Sequence, residues 1–272
     1  MKQSSVLFLL GCLMFIFSCS TQQTDNLWLS KSPDGNITFT LEMAASDSAQ
    51  PGALTYSITQ NGATVVQPSP LGIAREDQSF QNNLTLVDRT VTAIDETYEL
   101  HNGKQAQGRS HANEVTFSFI NENDAPLDLI VRVANDGVAF KYVFPDSAAS
   151  AKTVTQEFTG FSIPAGTAYI MPYDEPTQYT PAYENYYGVY DVGAPSPTEA
   201  GWAFPALFEI NDGANYVLLT ESGLDRTYCG TRLNKEAPDG LYSVRFPEAA
   251  DAESEGRVSP SSTLPWETSW KV

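Results

Sequence analysis

Six Asx-Gly dipeptides divide this chain into short runs of alternating apolar residues, and that punctuation restricts its fold more than any other feature. They are Asp34-Gly35, Asn61-Gly62, Asn102-Gly103, Asp136-Gly137, Asp212-Gly213 and Asp239-Gly240. A tight turn between antiparallel strands needs positive φ, which glycine adopts without steric cost and Asn or Asp tolerates. The stretch Leu127 to Pro145 makes the case best. Leu127, Leu129, Val131 and Val133 share one face, and after Asn135-Asp136-Gly137 the alternation resumes at Val138, Phe140, Tyr142 and Phe144. The spacing predicts two strands of about seven residues turning at Asp136-Gly137, with one apolar face directed inward. Likewise Leu54, Tyr56 and Ile58 precede Asn61-Gly62 and Val65 follows it. Phe208 and Ile210 precede Asp212-Gly213, and Tyr216, Leu218 and Thr220 follow.

Outside the N-terminus, no segment sustains apolar residues at helical spacing, so helix is expected to be scarce. The dipeptides recur at irregular intervals of about 27 to 76 residues, which excludes a repeat architecture. An all-β fold, a large antiparallel β-supersandwich, is the expectation. The segment from Pro164 to Pro205 breaks the pattern with seven prolines, together with Tyr169, Tyr173, Tyr179, Tyr183, Tyr186, Tyr187, Tyr190 and Trp202. Proline removes ladder donors, so this segment is expected to be a long ordered excursion and not a strand pair. Its aromatics suit stacking on sugar rings or packing on another domain, and equally suit pinning the loop to its own sheet.

At the N-terminus, Lys2 precedes an apolar run from Val6 to Phe17, too short to span a bilayer and built like a signal-peptide core. Ser18-Cys19 ends it in the manner of a bacterial lipoprotein cleavage site, which marks Cys19 for lipidation; an ordinary secretory cleavage nearby is the alternative. With Cys12 removed and Cys19 acylated, only Cys229 remains, and no disulfide framework can form. The full chain carries −18. Without Lys2 the side chains sum to 14 − 33 = −19, which argues against nucleic acid and against a basic membrane patch, leaving lipid as the only membrane link.

No nucleophile elbow, phosphate loop or zinc motif occurs, and His101 and His111 stand beside polar turn or loop residues. Cys229 reads as a small buried or half-buried residue. The 33 acidic residues make carboxylate pairs unavoidable by chance, so spacing cannot select a glycosidase pair. Glu184, within Thr180-Pro181-Ala182-Tyr183-Glu184-Asn185, stands out by its apolar context. It is either an exposed loop carboxylate or a partner for a cation such as calcium, which collects hard oxygen ligands from separate segments.

RVANDGVAFKYVFP, from Arg132 to Pro145, resembles the central signature of the N-terminal β-domain of glycoside hydrolase family 97. Ser32-Pro33-Asp34-Gly35, Ser69-Pro70-Leu71-Gly72, Leu219-Thr220-Glu221-Ser222-Gly223 and Pro265-Trp266 follow that family's order. The resemblance implies a galactose-mutarotase-like sandwich over residues 27–258. It is preceded by a signal peptide (1–18) and tether (19–26), and followed by the start of a linker (259–272) toward a (β/α)₈ barrel. It also implies that Glu184 is lent to a calcium ion completed only by the barrel, with Tyr183 beside it. Tyr186, Tyr187, Trp202 and Glu221 are expected at a carbohydrate-facing or interface surface, with Glu221 structural or interfacial. The chain alone is then expected to be inactive, the parent enzyme an α-glycosidase acting on neutral α-linked oligosaccharide. The expected location is the envelope of a Gram-negative bacterium, on the periplasmic face of the outer membrane. A stand-alone glycan-binding lipoprotein and a purely structural module are the other readings.

Overall fold

The computed structural model describes residues 26–173, 185–248 and 258–272. Among these, apart from two three-residue 3₁₀ turns, all regular structure is β, as the dipeptide punctuation predicts. The N-terminal half runs through β1 (Leu27–Lys31), β2 (Ile37–Met43), β3 (Leu54–Gln60), β4 (Ala63–Pro70) and β5 (Ile73–Arg75). It continues with β6 (Thr85–Glu99), β7 (Gln107–Ile120), β8 (Pro126–Ala134) and β9 (Val138–Phe144). Then come β10 (Lys152–Glu157), β11 (Gly160–Ser162), β12 (Gly166–Ile170), β13 (Gly188–Asp191), β14 (Ala206–Ile210), β15 (Asn215–Leu219) and β16 (Glu221–Ser222). Last are β17 (Arg232–Leu233), β18 (Leu241–Arg245), β19 (Ser261–Ser262), β20 (Trp266–Glu267) and β21 (Trp270–Lys271).

Two large antiparallel sheets form the sandwich. One is ordered β1-β2-β3-β4-β11-β18-β17; the other is ordered β16-β21-β9-β8-β7-β6, with β20 also on β9. A small sheet, β19-β10-β5, and a four-stranded sheet, β13-β12-β14-β15, complete the fold. The alternation in β8 is the reason its sheet has an inside: Leu127, Leu129, Val131 and Val133 are fully buried, while Asp128 and Arg132 lie on the other face. Facing them, Phe39 stacks on Tyr56, and Tyr56 meets Phe140 of the opposite sheet edge-on at 5.1 Å between ring centroids. Two buried tyrosine hydroxyls in this core find backbone partners. The Tyr56 hydroxyl donates to the Gly160 carbonyl (3.0 Å), and the Tyr142 hydroxyl accepts from the Gly72 amide (2.9 Å).

All six Asx-Gly dipeptides fall between consecutive paired strands, but two local readings need correction. The β8–β9 turn pivots on Asn135-Asp136, since the Ala134 amide donates to the Gly137 carbonyl (2.9 Å); no residue there has positive φ. Its Asn135 carboxamide instead accepts from the Asp34 amide (3.1 Å) and ties this turn to the β1–β2 turn. In β15 the inward residues are Val217 and Leu219, and Tyr216 and Leu218 point outward. Four consecutive large apolar residues leave alternation without a preferred face, so register there is set by the ladder to β14.

The segment 259–272 is not a linker. It enters the sandwich as three short strands, with Trp266 packed on Phe144 and Tyr228 and Lys271 almost wholly buried. The Lys271 ammonium lies 2.6 Å from Glu221 Oε1 and 3.4 Å from Glu157 Oε2, and it donates to the Ser269 hydroxyl (3.1 Å). Glu221 also accepts from the Thr231 amide (2.8 Å) and hydroxyl (2.7 Å), and Glu157 accepts from the Tyr228 hydroxyl (2.6 Å). Burial alone would lower the Lys271 pKa; the Glu157 and Glu221 carboxylates outweigh it and hold the ammonium above its ordinary value.

If 259–272 is structural, removing it should abolish cooperative unfolding or lower the melting temperature by more than about 10 °C, because the packing of Trp266 and the ion pairs of Lys271 go with it. A truncated chain that melts where the full chain does would restore the linker reading. Replacing Lys271 by Met should cost about 3–5 kcal/mol in urea unfolding at pH 7, because two carboxylates are left buried without their counter-charge. A lysine held above its ordinary pKa contributes stability that is fully present below the unfolded value and lost as pH rises through the folded one. On the alkaline side, the lead of the native chain over Lys271→Met should therefore begin to narrow above about pH 10.4. Equal stability of the two at pH 7 would mean that the cluster is energetically neutral.

Candidate functional site

The proline-rich excursion is anchored by a strand pair, contrary to expectation. β12 pairs with β13 from Thr167↔Asp191 to Ile170↔Gly188, and β12 also pairs with β14. No proline lies inside either strand, since Pro172, Pro195 and Pro197 fall beyond their ends; a count over the whole segment hid this. Tyr183 and Glu184 lie outside the described residues, as does Cys19. The described residues that flank that segment are Tyr173 and Asn185.

Tyr186 and Tyr187 are 89% and 54% exposed, the Tyr187 hydroxyl donating to the Pro205 carbonyl at 3.3 Å. Across the outer face of the sheet the register aligns Val189, Tyr169, Leu207 and Leu218 in one row, with Tyr216 on the same face. Of this group Val189, Tyr216 and Leu218 are largely exposed, while the adjacent row, Asp191, Thr167, Glu209 and Tyr216, puts two carboxylates on the same face. The Tyr169 hydroxyl donates to Glu209 Oε2 (2.8 Å), and that bond and the carboxylate charge raise the tyrosine pKa.

Trp202 does not belong to this exposed surface. It is fully buried, with its ring edge-on to Tyr190 at 4.8 Å and its backbone paired to Leu233 in both directions (2.9 and 2.8 Å). Gly201 makes the approach feasible: at φ +90° a Cβ there would stand 2.2 Å from the Leu233 carbonyl oxygen. No face of Trp202 is left for a sugar. Glu221 is likewise internal, committed to Lys271 and Thr231. Cys229 is half-buried; burial first, then the Glu221 charge, push its thiol up to about 11, where it is inert.

Sequence reasoning missed Arg232, which is buried with its guanidinium 4.5 Å over the Tyr173 ring, at the base of the excursion. A basic residue next to Leu233 in a chain with only 15 Lys and Arg was the available signal. At the other end of the sheet, a largely apolar groove of about 320 Å³ runs between β15, the β3–β4 hairpin, the β8–β9 turn and Val272. Among the described residues no three His, Cys, Asp or Glu side chains are grouped to hold a metal ion.

Residues 30–272 match the family model described as Glycosyl-hydrolase 97 N-terminal. A probable retaining alpha-galactosidase of Streptomyces bingchenggensis (strain BCW-1) is 35% identical over 199 residues, covering 73% of this chain and 29% of the relative. A retaining alpha-galactosidase of Bacteroides thetaiotaomicron is 26% identical over 249 residues, covering 88% and 35%. Among solved structures, a beta-arabinopyranosidase superposes with a TM-score of 0.79 at 32% identity, over 90% of this chain and 39% of that one. A glycoside hydrolase family 97 enzyme from Pseudoalteromonas sp. strain K8, in complex with acarbose, shares the fold with a TM-score of 0.72 at 21% identity, over 90% and 35%. The chain thus spans about a third of the length of these relatives. With a match reaching from the first strand to the last residue, on the sandwich that these enzymes also contain, this chain belongs to the glycosyl-hydrolase 97 family and corresponds to its N-terminal domain.

Proposed function

We propose that this domain is the non-catalytic N-terminal part of an α-glycoside hydrolase, packing on a catalytic barrel and lending Glu184 to a calcium ion in the barrel's active site. The observation that carries the reading is the match of residues 30–272 to the N-terminal domain, in a chain a third as long as relatives named as glycosidases. The arrangement of carboxylates agrees with a supporting role. Glu157 and Glu221 are brought together, but both are closed to solvent and bound to Lys271, so neither is placed to protonate or attack a glycoside. Calcium takes six to eight oxygens, and one carboxylate leaves most of that shell to the barrel. Completing the ion across the interface would link calcium binding to domain docking.

In the assembled enzyme, Glu184→Gln should lower calcium affinity and turnover of an aryl α-galactoside together, each at least tenfold, with the melting temperature of this domain unchanged. Calcium titration of activity is the measurement. A calcium dependence identical to that of the native enzyme would remove Glu184 from the site, and micromolar calcium binding by this chain alone would remove the need for the barrel.

One observation favours a second reading, a glycan-binding surface: Tyr186 and Tyr187 are the most open aromatics of the excursion among the described residues. Calorimetric titration with galacto- and malto-oligosaccharides separates the two. Binding at millimolar strength or tighter that Tyr186→Ala removes would support a glycan platform. Heats indistinguishable from dilution would leave the docking role.

A further inference from the structure

We infer that the outer edge of β15, with the apolar groove beside it, receives an extended strand running antiparallel to β15: the continuation of β21 past Val272 in longer members of the family. For the source of that strand the inference rests on the reading above; for its place it rests on register. β16 and β21 pair as Glu221↔Lys271 and Ser222↔Trp270, and the next pair is closed on both sides, Thr220 amide to Val272 carbonyl and Val272 amide to Thr220 carbonyl, each 2.9 Å. A strand that continued in this register would pass Leu219, Leu218 and Val217 in turn, alongside β15.

β15 is ready for it. It is the last strand of its sheet among the described residues, with β14 on its other side. Backbone groups of an antiparallel strand alternate between its two edges. Thr220 directs its amide and carbonyl toward Val272, so Leu218 and Tyr216 direct theirs the same way, to the open edge, while Leu219, Val217 and Asn215 serve the ladder to β14. Side chains directly opposite each other share a face. The first and third residues after Val272 would therefore lie opposite Leu219 and Val217 and point inward, onto the groove of about 320 Å³ lined by Ile58, Val65, Val138 and Phe161. The second would lie opposite Leu218 and point outward. The occupant is thus an apolar-alternating strand with its apolar residues at odd positions.

Longer members of the family have polypeptide in the right place. The matched domain is N-terminal and makes up 29–39% of the relatives' length, so in them the polypeptide goes on from the position that Val272 occupies. The added strand would bury the groove and convert an open sheet edge into an interior one.

The test extends the 272-residue chain by Val-Thr-Val-Thr-Val and, as controls, by Asp-Thr-Asp-Thr-Asp and Gly-Ser-Gly-Ser-Gly. The first should raise the melting temperature by about 3 °C or more and slow hydrogen exchange at the Leu218 and Tyr216 amides at least tenfold, and the controls should do neither. Leu218→Pro, which removes an amide facing the added strand but none from the β14 ladder, should cancel the gain. Three equal melting temperatures with unchanged exchange at Leu218 and Tyr216 would overturn the inference. So would a dimer of the unextended chain, seen by sedimentation, that protects the same two amides, since the edge would then serve a second copy. Neither calcium nor a catalytic barrel enters this experiment, so its failure leaves the Glu184 reading standing, and failure of the calcium titration leaves this one.

Discussion

The Lys271 ammonium, held between Glu157 and Glu221 with almost no access to solvent, is the interaction on which the rest of the domain depends. It joins three elements far apart in sequence: the end of β10, the start of β16 and the last strand, β21. A buried ion pair gains little over a well-packed apolar one, because desolvating the charges offsets most of their attraction. What it supplies is register. A direct cross-strand pair between Glu221 and Lys271 cannot slip by one residue without leaving a charge against the core, and that fixes every pair on either side. The surrounding bonds from Tyr228, Thr231 and Ser269 tolerate one placement of these carboxylates, and burial with the Glu157 charge holds the Tyr228 proton in place.

The same cluster explains why the two large sheets can close over a single core. β21 lies between β16 and β9, so the segment carrying Lys271 is also what extends the β9–β8–β7–β6 sheet toward the four-stranded one. Trp270, on the opposite face of that strand, is covered by Arg132 at 4.8 Å and Lys141 at 4.5 Å, cations that shield an aromatic from solvent without burying it fully. Inside, the Tyr56–Phe140 contact joins the sheets, and Phe208 on Tyr242 joins the four-stranded sheet to them.

What the sequence made legible was local. Hairpins whose alternation and turn residues sit close together along the chain could be read directly, and β8, whose outward parity carries Asp128 and Arg132, was unambiguous. β15 was not, because Tyr216, Val217, Leu218 and Leu219 satisfy both parities and only the neighbouring strand decides between them. Trp202 lies in a proline-rich stretch, which suggested exposure, yet its burial depends on Tyr190 and Leu233. The closing segment looked like a linker since Ser259 to Ser269 is small and polar in composition. Its place in the core comes from Trp266 and from an ion pair whose partners, Glu157 and Glu221, lie 114 and 50 positions earlier. No window of sequence contains such a pair. The candidate site divides the same way: composition located the aromatics but not which of them are exposed, and Arg232 against Tyr173 is a tertiary contact.

Among the described residues, the four-stranded sheet carries both an exposed apolar row and an open edge. β12 and β13 are the strands that lead into and out of the segment bearing Glu184, and β14 ties them to β15, whose far edge borders the groove and Val272. A ligand lent from one edge of a sheet to another body is held in position only if the sheet does not twist relative to that body. Two attachment points at opposite edges oppose that twist far better than one, because the torque a single edge must resist falls when the second is fixed. The outward row Val189, Tyr169, Leu207 and Leu218 lies between the two edges and is apolar across its width, so a body seated on both edges would cover it as well.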